Sequence, residues 1–132
     1  MTERAPLGKL VSFLVLLIGL HSCVLGVLML SLPARMAGLL GFSSEMPAFF
    51  PSQSGIFLLI LGSFYLAALK DSVFIWTIFC SKAAAVVFLL VHALFLGAPP
   101  LIWAAAAGDG GMLMALAAVW GWERRRGKSG PG

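Results

Sequence analysis

The sequence predicts an all-α protein, an integral membrane four-helix bundle whose successive helices run up and down. Of its 132 residues, 61% are hydrophobic and only 11% are charged, whereas soluble domains carry about a quarter charged residues. A transmembrane helix needs roughly 20 mostly apolar residues, and the chain contains four such runs with little left over. One transmembrane domain over residues 10–122 therefore accounts for most of the chain.

The first predicted helix covers residues 10–31 and follows a short basic lead, residues 1–9, which contains Arg4 and Lys9. The longest connection is 32–52, where three prolines interrupt any continuous helix. The sequence leaves open whether this connection contains a short helix on the membrane surface.

The other three predicted helices cover residues 53–69, 72–96 and 100–122. The turn at Lys70 and Asp71 is so short that the helices on either side of it must be antiparallel neighbours. Residues 123–132 are polar, basic and glycine-rich, and we expect them to form a disordered cytoplasmic tail.

The basic residues predict the orientation of the bundle. With four spans both termini share one side, and Arg35 is the only basic residue of the opposite side. The terminal side collects Arg4, Lys9, Lys70, Arg124, Arg125, Arg126 and Lys128. The positive-inside rule therefore places both termini in the cytoplasm, as N-in/C-in in a cell inner membrane. The positive net charge then reflects contact with the lipid bilayer, and we expect no nucleic-acid partner.

Three polar residues from different helices fall near the same depth. At 1.5 Å of rise per residue, His21, Lys82 and Asp109 lie about 15 to 20 Å from the cytoplasmic helix ends. Because a lone charge at the bilayer centre costs roughly 3 kcal/mol or more, such groups find partners inside the bundle. We expect Lys82 and Asp109 to form a buried ion pair, with His21 as the nearest third member.

Two interpretations of this buried polar site stay open. The ion pair could fix which helix faces meet, or the three residues could line a ligand or proton site. Pairing of these groups with another subunit is a third alternative. His92 and Gln53 lie nearer the outer surface and could form an access route to the site. Gly108–Gly111 could be either a locally unwound segment or a small-residue packing face.

The sequence carries no catalytic motif. Cys23 and Cys80 lie inside apolar runs and form no CxxC pair, and the chain has no HExxH motif and no Walker loop. We therefore assign no catalytic residue, expect no metal, and favour a protein that is not an enzyme.

From Gln53 onward the sequence resembles a family of small, uncharacterised bacterial membrane proteins with a DoxX-like four-helix arrangement. The residues that carry the resemblance are Gly55, Gly62, Tyr65-Leu66-Ala67-Ala68, Asp71, Lys82 and Asp109. The chain departs from these relatives at Gly108, where they commonly have Asn, and at Ser72, where they commonly have Pro. The resemblance implies a four-helix membrane fold and an association with membrane redox partners.

These observations favour an accessory or scaffold subunit of a membrane complex, with a quinone or a lipid as its expected ligand. The partner would be another membrane protein or further copies in a homo-oligomer. The alternative is a small proton-coupled carrier in which Asp109 titrates while Lys82 and His21 set its pKa. Small multidrug exporters do not fit, since they resemble one another in a buried glutamate in the first helix, where this chain has His21.

Overall fold

The computed structural model describes residues 6–43 and 45–129, and within these residues all regular structure is helical. The helices are α1 Lys9–Ser31, α2 Pro33–Leu39, α3 Phe49–Ala67, α4 Ile75–Phe95 and α5 Leu101–Lys128, with a 3₁₀ helix at Ser72–Phe74 leading into α4. Four of them, α1, α3, α4 and α5, are long and apolar enough to cross a membrane. The prediction of an all-helical, multi-pass membrane protein is thereby confirmed.

The long connection contains the seven-residue helix α2, which begins with Pro33 at a position where the missing N–H has no partner to lose. After α2 the chain turns at Gly41, whose φ of 88° lies in the left-handed region. A Cβ at Gly41 would lie 2.8 Å from Cβ of Pro99. This glycine therefore lets the connection lie against the turn before α5.

Helix α3 begins at Phe49, earlier than the predicted start at residue 53. Pro51 lies in its first turn, where a helix tolerates proline because the first N–H groups have no intrahelical acceptor. At the other end, Asp71 Oδ1 accepts a hydrogen bond from Val73 N–H at 3.0 Å. This cap starts the 3₁₀ helix and directs the chain into α4.

The predicted disordered tail is wrong over most of its length, because α5 continues as a helix through Lys128. Arginine is a good helix former, and cations are favourable near a helix C-terminus. The guanidinium groups of Arg124 and Arg126 lie 4.8 and 4.4 Å from the ring centroids of Trp120 and Trp122, one turn earlier. These contacts extend α5 beyond its apolar segment.

The four long helices associate as two tight pairs. Helix α1 packs mainly on α3, and α4 packs mainly on α5. In the first pair Gly26 and Gly55 face each other so closely that a Cβ on either would lie 2.8 Å from the other's carbonyl oxygen. Small residues permit this approach where lipid offers no hydrophobic drive for association.

One cluster of buried side chains joins the two pairs. It lies where α1 and α4 begin and α3 and α5 end. Its members are Val11, Val15, Ile18, Tyr65, Ala68, Ile75, Ile78 and Leu116. Lys82 follows Ile78 by one turn of α4, so the polar site sits directly beside this core.

Candidate functional site: a buried polar contact across three helices

The structure brings Lys82 of α4 and Asp109 of α5 into direct contact. Lys82 Nζ donates to Asp109 Oδ1 at 2.5 Å. The lysine side chain is 7% exposed and the aspartate side chain 20%. The two groups meet because the short turn between α4 and α5 makes these helices neighbours.

Mutual neutralisation is what makes this burial tolerable. An isolated ammonium or carboxylate loses its hydration on entering an apolar interior, at a cost of several kcal/mol per ion. Contact with the opposite charge offsets much of that cost. The pair therefore links α4 to α5 at one defined rotation of each helix.

A second polar contact extends the site to α3. Tyr65 Oη lies 2.5 Å from Ser81 Oγ, and Ser81 Oγ also lies 2.5 Å from the carbonyl oxygen of Thr77. A carbonyl can only accept, so the single serine proton goes to Thr77 and the tyrosine donates to Ser81. Because Ser81 precedes Lys82, hydrogen bonds and the ion pair connect α3, α4 and α5 at one level.

Sequence reasoning missed Tyr65 and Ser81 as members of this site. Tyr65 is 3% exposed and belongs to the core. A signal for its burial was present, since Tyr65 follows Gly62 by three residues and so lies on the glycine face of α3 that packs against α1.

The expectation that His21 joins the pair is not met by the geometry. His21 is exposed on α1, whereas its neighbour Ser22 is buried. Among the described residues, His21 forms no ion pair with Asp109. The depth of a residue in the membrane depends on how far along its helix it lies. The direction in which its side chain points, however, rotates by about 100° with each residue. Three residues at one depth can therefore point to different sides.

The two candidate access residues, His92 and Gln53, lie in different environments. His92 is half-buried in α4, where its Nδ1 lies 2.8 Å from the Phe88 carbonyl oxygen and its ring lies 4.0 Å from the Phe88 ring. The carbonyl can only accept, so Nδ1 is the donor of this contact. Gln53 is exposed in the first turns of α3.

Four of the cavities and grooves formed by the described residues bear on the site. One of about 550 Å³ and one of about 400 Å³ are lined in part by His92, but not by Gln53. A third, of about 760 Å³, lies between the start of α1 and the end of α5, and a fourth is an open groove of about 560 Å³ along α4. Within the described part of the chain, Lys82 and Asp109 line none of these four.

The described residues contain no group of three His, Cys, Asp or Glu side chains that could hold a metal ion. The chemistry of the site is thus that of a neutralised ion pair with a tyrosine–serine hydrogen bond beside it. No protein-family model, curated protein or solved structure matches the chain.

Proposed function

We propose that this protein is an accessory subunit of a heteromeric complex in a bacterial inner membrane, and that α5 is its docking helix. The proposal includes an up-and-down bundle with both termini in the cytoplasm and membership of a DoxX-like group. The observation that carries it is a row of exposed glycine and alanine residues on the outward side of α5, which we call the small-residue face.

This small-residue face follows a spacing of alternately four and three residues, which keeps it on one side of a helix. It consists of Ala104, Gly108, Gly111, Ala115 and Ala118, and all five are exposed. A Cβ built on Gly108 or Gly111 would meet no atom within 4 Å. By contrast, Gly26 and Gly55 pack against each other in the α1–α3 contact. The chain thus uses glycines for close packing between α1 and α3 and leaves the glycines of the small-residue face open to a further helix.

The charge beside this face indicates the kind of partner. Arg125 and Arg126 are exposed at the end of α5, and at 100° per residue they flank the small-residue face. In a membrane, two copies of α5 meeting through this face would run parallel and bring their arginines together. That like-charge contact disfavours a second copy. It favours a different protein with acidic residues beside its transmembrane helix.

The ion pair supports this arrangement through its position on α5. Asp109 points toward α4, whereas Gly108 and Gly111 open outward. Holding Asp109 on Lys82 fixes the rotation of α5 and so keeps the small-residue face turned away from the bundle. The proton-coupled carrier has less support, since His21 faces away and none of the four cavities reaches the pair.

Affinity purification of tagged protein from native membranes, after chemical crosslinking, tests the proposal. Gly111→Leu should reduce the co-purified partner at least tenfold, because a branched side chain holds the helices apart. The matched control is Ala117→Leu, which lies nine residues from Gly108 and so about two and a half turns away on the opposite side. The control should retain the partner.

Equal recovery of the partner with Gly111→Leu and Ala117→Leu would contradict docking on this face. Capture of further copies of this chain alone would replace the heteromeric complex by a homo-oligomer. Neither variant should lose melting temperature in detergent, since both positions are exposed.

A further inference from the structure

The cavity of about 760 Å³ lies at the end of the bundle where α1 and α4 begin and α5 ends. Its walls combine aromatic rings with two opposite charges. The residues that matter here are Leu7, Gly8, Trp76, Trp120, Glu123 and Arg124. In α5 the basic segment starts at this level, so the cavity opens where a membrane meets water.

Glu123 places a carboxylate at this cavity, and only one of its two oxygens is hydrogen-bonded within the described residues. Its Oε1 accepts a hydrogen bond from Leu10 N–H at 3.2 Å, which caps α1 from α5. Its Oε2 is buried and has no hydrogen-bond partner among the described residues. A buried carboxylate oxygen without a donor is unfavourable. Because Glu123 lines the cavity, a small rotation of its carboxylate would let the N–H group of a ligand satisfy this oxygen.

Arg124 brings a cation to the same cavity. Its guanidinium lies 4.8 Å from the ring centroid of Trp120, and it forms no salt bridge with Glu123 within the described residues. Trp76 lies edge-on to Trp120, with 5.5 Å between ring centroids. The cavity therefore presents an anion and a cation that do not neutralise each other, beside indole rings that attract cations.

We infer that this cavity binds the phosphoethanolamine headgroup of a phospholipid. The primary ammonium donates to Glu123 Oε2 while the phosphodiester accepts from Arg124. A trimethylammonium headgroup has no N–H for Oε2, and an anionic headgroup places no cation beside Glu123. The inference goes beyond the docking role of α5 and does not depend on it, because the small-residue face is elsewhere on that helix.

A lipid is favoured over a soluble ligand by an open groove that shares the wall residue Trp76 with the cavity. Trp76 lines both the cavity and the open groove along α4, whose other walls are Thr77, Cys80 and Ser81. The groove follows α4 from the headgroup level toward the buried ion pair. An acyl chain can lie in it while the headgroup occupies the cavity.

The test is native mass spectrometry of the purified full-length protein titrated with dioleoyl phosphatidylethanolamine, phosphatidylcholine or phosphatidylglycerol. Phosphatidylethanolamine should bind most tightly. Glu123→Gln retains an oxygen for Leu10 N–H but loses the charge, and should weaken phosphatidylethanolamine binding about tenfold. Glu45→Gln, the same change at an exposed carboxylate in the 32–52 connection, should have no effect.

Two further variants keep the test decisive if Glu123→Gln alters folding. A Cβ on Gly8 would collide with the Glu123 carboxylate, and Gly8 has φ −62° and ψ 161°, which alanine also adopts. Gly8→Ala should therefore displace the carboxylate and weaken binding. Trp76 is 56% exposed, so Trp76→Leu should weaken lipid binding without loss of the fold.

Equal affinity for the three lipids, or unchanged phosphatidylethanolamine binding in all three variants, would overturn the inference. Soluble phosphoethanolamine competing at the same concentration as the lipid would replace the lipid by a soluble ligand. Loss of lipid binding with intact partner recovery would separate this site from the docking face.

Discussion

Lys82 and Asp109 place two formal charges in otherwise apolar helices, and each is tolerable only through the other. Buried pairs of this kind contribute little net stability compared with a hydrophobic replacement, yet losing one partner leaves the other charge uncompensated. The value of the pair therefore lies in the geometry that it imposes on α4 and α5.

Asp109→Asn should destabilise the protein by about 3 kcal/mol, because it leaves the Lys82 ammonium buried without a counter-charge. Lys82→Met combined with Asp109→Leu should stay within about 1 kcal/mol of the original stability. Unfolding by SDS titration in mixed micelles measures both. Lys70→Met, at an exposed lysine, is the control. Equal losses for the single and the double variant would contradict a neutralised pair.

The tyrosine–serine contact makes a smaller contribution. Tyr65→Phe removes the donor to Ser81 while Ser81 keeps its bond to Thr77, so the expected loss is about 1 kcal/mol. The same SDS titration measures it. Ser63→Ala, at an exposed serine that bonds only to its own helix, should change stability by less. A loss as small for Tyr65→Phe as for this control would mean that the contact does not join α3 to α4.

The sequence sufficed to pair Lys82 with Asp109 because charge, depth and a short turn all pointed to one contact. It did not suffice for His21 or Tyr65. Their direction depends on which face of α1 and α3 is buried, and the nearly uniform apolar character of these helices does not reveal that face. The positions of the glycines indicate which face of α1 and α3 is buried.

Among the helices, the α1–α3 contact depends on glycine more than any other. Gly26→Ala would place a methyl group 2.8 Å from the Gly55 carbonyl oxygen. Since both atoms belong to rigid backbones, the helices must separate, at a cost of about 2 kcal/mol. The midpoint of SDS-induced unfolding measures this cost.

The matched control is Gly121→Ala in α5, where the added Cβ meets nothing within 4 Å. That change should raise stability by up to about 1 kcal/mol, because alanine is the better helix former. If both substitutions changed stability in the same direction, close backbone packing would not explain the α1–α3 pair.

Helix ends were harder to predict than helix existence. Four apolar runs announced four long helices, and the structure has them. The extension of α5 to Lys128 depends on contacts that a hydropathy pattern does not contain, namely arginines over tryptophans and the reach of Glu123 to α1. The start of α3 at Phe49 depends on the tolerance of its first turn for Pro51.

For the molecule as a whole, the proposed orientation can be tested by cysteine labelling. After replacing Cys23 and Cys80 by alanine, Glu45→Cys should react with a membrane-impermeant maleimide on right-side-out vesicles. Ser129→Cys should react only after the vesicles are opened, because the basic residues keep both termini inside. Gel-shift with a heavy maleimide measures both. The reverse pattern would show the opposite orientation.

The division into two tight pairs bears on biogenesis. Lys82 and Asp109 belong to the same helix pair, the hairpin of α4 and α5, whose helices are joined by a short turn. This hairpin therefore contains both members of the ion pair when it leaves the ribosome. If the two helices enter the bilayer together, neither charge has to cross hydrocarbon alone. The hairpin, rather than the single helix, is then the unit that the insertion machinery would release into lipid.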